Sequence, residues 1–199
     1  MNIAVFASGR GTNFAAIARA VKKGKILANL SMLVCDSPKA KVISKAKRAG
    51  AQVFLIKRKD FATKRDFEDR IIQRLEEAKI DLIVLAGFMR MLSPEFVQRF
   101  KLRILNIHPA ILPSFQGTQG IEDAFNYGVK VTGVTVHFVD EEMDHGPIIL
   151  QAPVKIDEDD SLESLESKIH KIEHKIYPEA VRLFIEGRLK VEGRRVKIL

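Results

Sequence analysis

The chain has 199 residues, of which 46% are hydrophobic and 29% charged, which is ordinary for a globular protein and enough for one sizeable domain. Its formal net charge of +8 comes from lysines and arginines spread along the whole length, without a basic tail, a zinc pattern or an aromatic-studded basic strand. That distribution suits anionic small molecules and argues against a nucleic-acid partner. The single cysteine, Cys35, excludes an internal disulfide and a thiolate metal cluster.

We expect no targeting segment at the amino terminus. Its first apolar stretch, residues 3–7, has no basic leader and is far too short for a signal peptide or a membrane span. We therefore expect a cytoplasmic protein with no membrane partner.

The first half of the chain alternates apolar β-type runs with segments of helical period, a pattern that predicts βαβ units and a parallel sheet. Helices are expected to start near Asn13, Lys39, Asp60 and Pro94, with Asp60 as an N-cap and Ser93 as a cap before a first-turn proline. The predicted strands are residues 3–7, 30–35, 52–56, 82–86 and 104–107.

The second half of the chain has a different sequence pattern. A Pro/Gly-rich loop at 108–120 precedes two strand candidates, 132–139 and 147–155, which are expected to form an antiparallel pair added to the parallel sheet. Ser161 then opens a long helix to about residue 185, and residues 188–199 resemble a short hairpin around Gly193. No linker or repeat interrupts the chain, so the sequence predicts a single α/β domain over 1–199, with helices on both faces of a mostly parallel sheet.

A glycine-rich loop, residues 8–13, follows the first strand and leads into a helix. Glycines let the backbone approach an anion closely, and the N–H groups and positive dipole end of the helix favour a phosphate. The loop lacks the Lys-Ser/Thr ending of a Walker A motif, and Phe14 stands where a dinucleotide fingerprint has its third glycine. The alternative is a plain strand-to-helix turn.

The apolar strand that ends at Asn106-Ile107-His108-Pro109 carries two polar residues at alternate positions. Such residues share a face, about 6–7 Å apart, at the carboxyl end of a strand, where α/β proteins bind ligands. An amide and a protonated imidazole there can both stabilise an oxygen that gains negative charge. The alternative is a pair of side chains that simply bind loop backbone.

A carboxylate beside His108 would support that chemistry, because it favours the protonated imidazole and raises its pKa. Asp144 is the candidate, although its acidic turn could instead be a solvated loop or a weak metal loop; the spacing of a calcium loop is absent. The other histidines have weaker claims. His137 alternates inside a strand, and His170 and His174 lie one helical step apart without the glutamate of a zinc motif.

In this order and spacing, the segments resemble the folate-dependent glycinamide ribonucleotide formyltransferase family over essentially the whole chain. The resemblance rests on residues 8–13, 85–93, 106–109, 112–114, 133–139, Asp144 with 146–148, and 173–178. It implies a Rossmann-like formyltransferase fold, with a phosphate-binding part at about 1–100 and a folate-binding and catalytic part at about 85–185. It implies no metal, and small-molecule substrates handled by a monomer or homodimer.

The resemblance also implies a role for each site residue. The catalytic set is Asn106, His108 and Asp144. The ribonucleotide is held by Gly11, Thr12, Asn13, His170, Lys171, Ile172 and Glu173. The formyl donor, 10-formyltetrahydrofolate, is held by Lys64, Met89, Arg90, Met91, Leu92, Asn106, Asp140, Glu141, Glu142, Met143 and Asp144. The amine of glycinamide ribonucleotide attacks the formyl carbon, and Asn106 and protonated His108, supported by Asp144, stabilise the tetrahedral intermediate.

The sequence departs from the family pattern at three places. Residues 116–119 stand where relatives usually carry Pro-Gly and then a histidine or similar polar residue, His170 stands where glutamine is frequent, and Lys64 where arginine also occurs.

Two other functions compete. Methionyl-tRNA formyltransferases and formyltetrahydrofolate hydrolases share the Asn-x-His and Asp machinery but are expected to carry an additional domain, for which this chain has no room. A silent ligand-binding or nucleic-acid-binding module would have no reason to place amide, imidazole and carboxylate together.

Overall fold

The computed structural model describes all residues from Met1 to Leu199. The chain separates into two compact units, Met1–Leu105 and Asn106–Leu199, with the boundary inside one strand. The single domain over 1–199 therefore stays a prediction. None of the helices is both long and apolar enough to cross a membrane.

The first unit is a parallel βα arrangement. Its strands are β1 (Asn2–Phe6), β2 (Asn29–Cys35), β3 (Gln52–Leu55), β4 (Leu82–Leu85) and the start of β5 (Ile104–His108), in the order β3-β2-β1-β4-β5. Its helices are α1 (Thr12–Lys22), α2 (Val42–Arg48), α3 (Lys64–Glu77) and α4 (Pro94–Arg99). The pairings of β1 with β2 and β4, and of β2 with β3, are parallel, as predicted.

Burial explains why these strands are apolar runs rather than alternating ones. The side chains of β4 are buried throughout, and in β1 only the first residue, Asn2, is partly exposed. Strands covered on both faces have no solvent side to carry polar residues. Polar side chains therefore collect just beyond the strand ends, where the ligand sites of the first unit are predicted.

Two helix starts test the predicted caps. Ser93 caps α4 by accepting a hydrogen bond from Phe96 N–H at 3.2 Å, with proline in the first turn, as predicted. The prediction that Asp60 caps α3 is wrong: Asp60 ends a short 3₁₀ turn, and Thr63 forms a capping box with Asp66. The Thr-x-x-Asp pattern satisfies two backbone N–H groups at once, which a lone aspartate cannot do.

The second unit contains the antiparallel strands. It comprises the end of β5, β6 (Val131–Phe138), β7 (Ile148–Lys155), β8 (Leu189–Glu192) and β9 (Arg195–Ile198), in the order β5-β6-β7-β9-β8, with helices α5 (Gly120–Tyr127) and α6 (Leu162–Ile185). The β6–β7 and β8–β9 pairs are antiparallel, and β9 lies parallel to β7. This confirms the α/β class, the antiparallel C-terminal strands, the long helix capped by Ser161 and the terminal hairpin.

Helix α5 was not predicted. It is only eight residues long, starts on a glycine and ends at Gly128 in a left-handed conformation, so its sequence resembles the preceding loop. Short helices depend on packing more than on their own propensity.

Candidate active site

Three of the predicted site residues meet around one carboxylate. Asp144 lies in the loop after β6, with Oδ2 3.3 Å from His108 Nδ1 and Oδ1 3.3 Å from Asn106 Nδ2. His108 is 3% exposed, and the Asp144 side chain is also largely buried. The alternation along β5 thus presents the amide and the imidazole to the same acid.

A second histidine, His137 on β6, belongs to this cluster. Its Nε2 lies 3.2 Å from Asn106 Nδ2 and 3.7 Å from Asp144 Oδ1. Its Nδ1 is 2.8 Å from the Phe138 carbonyl and donates to it, because a carbonyl oxygen can only accept. Sequence reasoning gave His137 a weaker claim. The available signal was the alternation of two polar residues, Thr135 and His137, in the mostly apolar strand β6.

The loop after β5 is held close to the cluster. Thr135 Oγ1 donates to the Ala110 carbonyl at 2.7 Å and accepts from Leu112 N–H at 3.1 Å. Farther along, His108 Nε2–H donates to the Phe115 carbonyl at 2.7 Å. A side chain at Gly120 would put a Cβ only 2.9 Å from that carbonyl oxygen, so the close approach requires glycine.

The atypical segment at 116–119 also contacts the cluster. Gly117 N–H donates to Asp144 Oδ2 at 2.9 Å, and Gln116 Nε2 donates to the carbonyls of Met143 and Asp144 at 3.3 and 3.2 Å. The departure from the family pattern therefore brings its own hydrogen bonds to the acidic loop.

The first unit holds a cavity of about 350 Å³ that collects five predicted folate contacts. Met89 and Met91 are strongly exposed, at 75% and 54%. The lining consists of Lys64, Met89, Arg90, Met91 and Leu92, together with Arg58, Phe67, Glu68 and Phe88, which sequence reasoning missed.

Two buried acids anchor the segment that carries these methionines. Arg90 Nε lies 2.5 Å from Asp36 Oδ2, just after β2. Glu68 on α3 is 3% exposed, and its Oε1 accepts from Ser93 N–H at 3.0 Å and lies 3.7 Å from Lys64 Nζ. Met91 and Leu92 therefore lie between two residues, Arg90 and Ser93, that are held by acids.

The glycine-rich loop leads into α1 without a side-chain cap. Gly11 is the N-cap residue, in a left-handed conformation with φ 66°, and the first helical turn contains no acidic residue. Lys45 Nζ on α2 lies 3.3 Å from the Gly11 carbonyl. Partial burial and the nearby charges of Arg48, Arg10 and Lys41 lower the pKa of Lys45. This concentration of positive charge suits an anion.

Helix α6 carries the remaining predicted ribonucleotide contacts. His170 Nδ1 lies 2.9 Å from Glu173 Oε2, and Glu173 is buried. The rings of His170 and His174 stack, with centroids 6.4 Å apart. Lys171 is exposed and Ile172 half-buried, so the structure joins only His170 and Glu173 of the four.

The acidic loop between β6 and β7 is partly self-contained. Asp140 Oδ2 lies 2.7 Å from His145 Nδ1, and Asp140 Oδ1 accepts from Glu142 N–H at 3.2 Å. Glu141, Glu142 and Met143 are exposed. Of the predicted folate contacts in this loop, only Asp144 reaches the buried cluster.

The family model for formyl transferase matches residues 1–181 of the chain. The chain belongs to the formyl transferase family. Among its relatives, phosphoribosylglycinamide formyltransferase of Bacillus subtilis is 46% identical over 179 residues, covering 90% of this chain and 92% of the relative. The enzyme of the same name from Haemophilus influenzae is 40% identical over 190 residues, covering 96% and 90%. The crystal structure of glycinamide ribonucleotide transformylase 1 from Symbiobacterium toebii superposes with a TM-score of 0.97 at 43% identity, covering 100% and 94%.

Burial sets the charge state of the histidine in this formyl transferase. Removal from water lowers the pKa of His108, and the Asp144 carboxylate and Phe115 carbonyl oppose that shift without reversing it. His137 lowers it further, and Glu173 raises it. The expectation that Asp144 raises the His108 pKa is therefore right for that pair and wrong for the net direction, because desolvation outweighs it.

For the pKa of Asp144, interactions with neighbouring groups outweigh burial. Burial alone would raise the pKa of Asp144, but interactions with His137, the Gly117 N–H and His108 together lower it. Asp144 is therefore ionised at neutral pH. The resting formyl transferase site pairs a carboxylate with a neutral imidazole, and each ring nitrogen of His108 faces an oxygen, Asp144 Oδ2 or the Phe115 carbonyl.

Proposed function

We propose that this formyltransferase moves the formyl group of 10-formyltetrahydrofolate onto the amine of glycinamide ribonucleotide, a step of purine biosynthesis. The observation that carries the proposal is the buried meeting of the Asn106 amide and the His108 imidazole around the Asp144 carboxylate. A silent binding module has no use for this costly arrangement of buried polar groups. The names and identities of the relatives support the choice of acceptor.

The chemistry follows from the charge that develops during transfer. As the amine attacks, the formyl oxygen becomes negative, and one Asn106 N–H and the His108 Nε2–H leave their resting acceptors and donate to it. Donors aimed at such an oxygen are typically worth about 2.7–4 kcal/mol of barrier each. Asp144 stabilises the imidazolium and assists transfer of the proton from the amine towards the departing nitrogen.

The lowered pKa of His108 means that its ring becomes protonated only as negative charge develops on the formyl oxygen. In the resting site the ring is neutral because burial penalises its charge. A negative oxygen nearby offsets that penalty: Asp144 accepts from Nδ1–H of the imidazolium, and Nε2–H turns from the Phe115 carbonyl to the negative oxygen. Protonation of His108 is thus favoured as the transition state forms.

The binding residues suit two anionic substrates. Lys45 and the uncapped start of α1 favour the phosphate at Gly11, Thr12 and Asn13, and the linked pair His170 and Glu173 offers hydrogen bonds to the rest of the ribonucleotide. The first-unit cavity fits formyl-folate in chemical character: exposed methionines can pack against a flat ring, and Arg58 and Lys64 can pair with carboxylates. Formyl-folate supplies the formyl carbon.

A competition assay tests the proposal directly. The enzyme is given 10-formyltetrahydrofolate with glycinamide ribonucleotide, water and charged tRNA as acceptors, and each product is quantified. We expect formyl transfer to the ribonucleotide alone. Release of free formate at the same rate without ribonucleotide would indicate a formyltetrahydrofolate hydrolase. Formylation of the tRNA would indicate a methionyl-tRNA formyltransferase. Either result overturns the proposal.

Replacing Lys45 by methionine is expected to weaken glycinamide ribonucleotide binding by roughly 10- to 100-fold, since a charge-assisted contact contributes about 1.5–3 kcal/mol. Folate-analogue binding should be unchanged. Calorimetric titration of each ligand separately measures both. Lys47→Met is the matched control, because Lys47 lies on the same helix with its side chain in solvent. Equal weakening of both ligands, or unchanged ribonucleotide binding, would contradict the assignment.

Replacing Gly11 by valine is a less specific test of the same loop. It should abolish ribonucleotide binding by crowding the backbone, but a Cβ there would also lie 2.4 Å from Val42 Cγ2 and adopt an unfavourable positive φ. Loss of binding in that variant therefore counts only when circular dichroism shows the fold intact.

Replacing Glu68 by alanine is expected to raise the KM for formyl-folate roughly tenfold, because one lost charged hydrogen bond frees the Ser93 end of the methionine segment. Glu68→Gln retains an oxygen that can accept from Ser93 N–H, so its KM should rise much less. Steady-state kinetics with each substrate varied separately makes the measurement. A rise confined to the KM for the ribonucleotide would refute this role.

A further inference from the structure

The loop that carries Asp144 has fixed ends. Phe138 N–H donates to the Pro147 carbonyl at 2.9 Å, closing the loop at its base. A Cβ at Gly146 would lie 1.9 Å from the Phe138 carbonyl oxygen, so only glycine fits there. The carboxylate is therefore presented by a short closed segment whose middle residues must be held by their own contacts.

Asp144 itself adopts an unfavourable backbone conformation. Its φ is 50°, a left-handed region that non-glycine residues occupy only when their surroundings hold them there. On one side, Gln116 and Gly117 provide those contacts through the Asp144 carbonyl and carboxylate. The other side depends on the next residue, His145.

His145 is fixed by hydrogen bonds to two residues, Asp140 and Arg194. Its Nδ1 lies 2.7 Å from Asp140 Oδ2, its Nε2 lies 2.8 Å from Arg194 Nη1, and its carbonyl accepts from Arg194 Nη2 at 2.7 Å. When Nδ1–H donates to the carboxylate, Nε2 is the acceptor of the neutral ring and matches the guanidinium donor. Arg194 thus holds both the side chain and the backbone of the residue next to Asp144.

Arg194 comes from the turn of the terminal hairpin. Strands β8 and β9 pair from Leu189–Ile198 to Glu192–Arg195, and β9 contacts β7 at Ile148. The hairpin ends are joined by Leu199 N–H donating to the Arg188 carbonyl at 2.9 Å. A paired hairpin attached to the sheet is a firm support for a residue that must hold a loop.

We propose that Arg194 is a positioning residue for formyl transfer: through His145 it fixes the backbone that aims the Asp144 carboxylate at His108. The inference rests on the proposed function for its kinetic consequence, while the geometric part concerns only the loop. Arg194 touches neither His108 nor Asn106, so it acts through the loop and not on the reacting atoms.

The test compares Arg194→Met, Arg194→Lys and Arg195→Met in the full chain. Arg195 is the matched control, because it lies beside Arg194 in the hairpin, is exposed and forms no side-chain hydrogen bond or ion pair. Arg194→Met removes every hydrogen bond from this side chain to His145. Arg194→Lys has one nitrogen and can replace only one of them.

Two readouts separate positioning from general stability. We expect Arg194→Met to lower kcat roughly tenfold through misplacement of the carboxylate, Arg194→Lys to fall between, and Arg195→Met to match wild type. In NMR titrations of the imidazoles, Arg194→Met should lower the pKa of His108, because the Asp144 carboxylate that raises this pKa withdraws from the ring. His137, which lowers the same pKa, and Glu173, which raises it, remain in place.

The outcomes are distinguishable. Unchanged kcat and unchanged His108 titration in Arg194→Met overturn the positioning role, as does an equal effect of Arg195→Met. If the wild-type protein transfers no formyl group to the ribonucleotide, the proposed function fails, yet a His108 shift confined to the Arg194 variants still supports the role of the hairpin. If Arg194→Met does not fold by circular dichroism, Arg194→Lys decides by the same two readouts.

Discussion

Asp144→Asn is expected to lower kcat by about 10²-fold or more, the range seen when a group that stabilises transition-state charge is lost. Both carboxylate oxygens are in use: Oδ2 faces the Gly117 N–H and His108, and Oδ1 faces Asn106 and His137. An amide has one oxygen, so its NH₂ group must face donors on one side. Single-turnover kinetics with both substrates saturating measures the loss.

The same substitution carries a pH signature with a defined sign. The Asp144 charge raises the pKa of His108, so its removal moves that pKa further below the ordinary value. If the imidazolium is the active form, activity is present below the His108 pKa and declines above it. The declining limb of kcat in Asp144→Asn should therefore shift to lower pH. A profile and rate identical to wild type would refute the coupling of the two residues.

His108→Ala is expected to lower kcat by about 10²-fold or more, because it removes the proposed donor to the developing oxyanion. The KM values should change much less, since the ring is buried and neutral before reaction. Asn106→Ala should give a loss of similar size. The double variant should fall well short of the product of the two, because residues that act on one oxygen are not additive.

Controls for His108→Ala must account for its tertiary contacts. The ring donates to the Phe115 carbonyl, so its loss also frees the loop after β5. Thermal unfolding and folate-analogue titration establish whether the variant remains folded and able to bind. Near-normal kcat in a folded His108→Ala protein would exclude the oxyanion assignment.

Much of the fold can be predicted from local sequence patterns. Continuous apolar runs predicted the buried parallel strands, and Ser93-Pro94 and Ser161 predicted two helix starts, because caps and burial leave direct marks on composition. Two predictions failed for different reasons. Thr63 with Asp66, and not Asp60, caps α3, although both are plausible capping residues. The short helix α5 depends on packing, which local sequence does not show.

The candidate site was partly predictable for the same reason. Asn106 and His108 stand at alternate positions of a recognisable strand end, whereas Asp144 became a strong candidate only through the family resemblance. The contacts of His137 with Asn106 and Asp144 arise from strand pairing and a distant loop, which no local pattern shows. The net direction of the His108 pKa likewise depends on burial beneath the loop after β5, a tertiary property.

The contact between Gly11 and Val42 has a consequence for how variation among formyltransferases is interpreted. With a Cβ at position 11 lying 3.0 Å even from the Val42 Cα, trimming Val42 to alanine would not make room, and the positive φ would still select against other residues. Position 11 is thus constrained by helix packing as well as by any ligand. Conservation of glycine at position 11 is therefore explained by the packing of the first unit and does not by itself indicate a ligand. Conservation of Lys45 would be more specific evidence for binding of an anion.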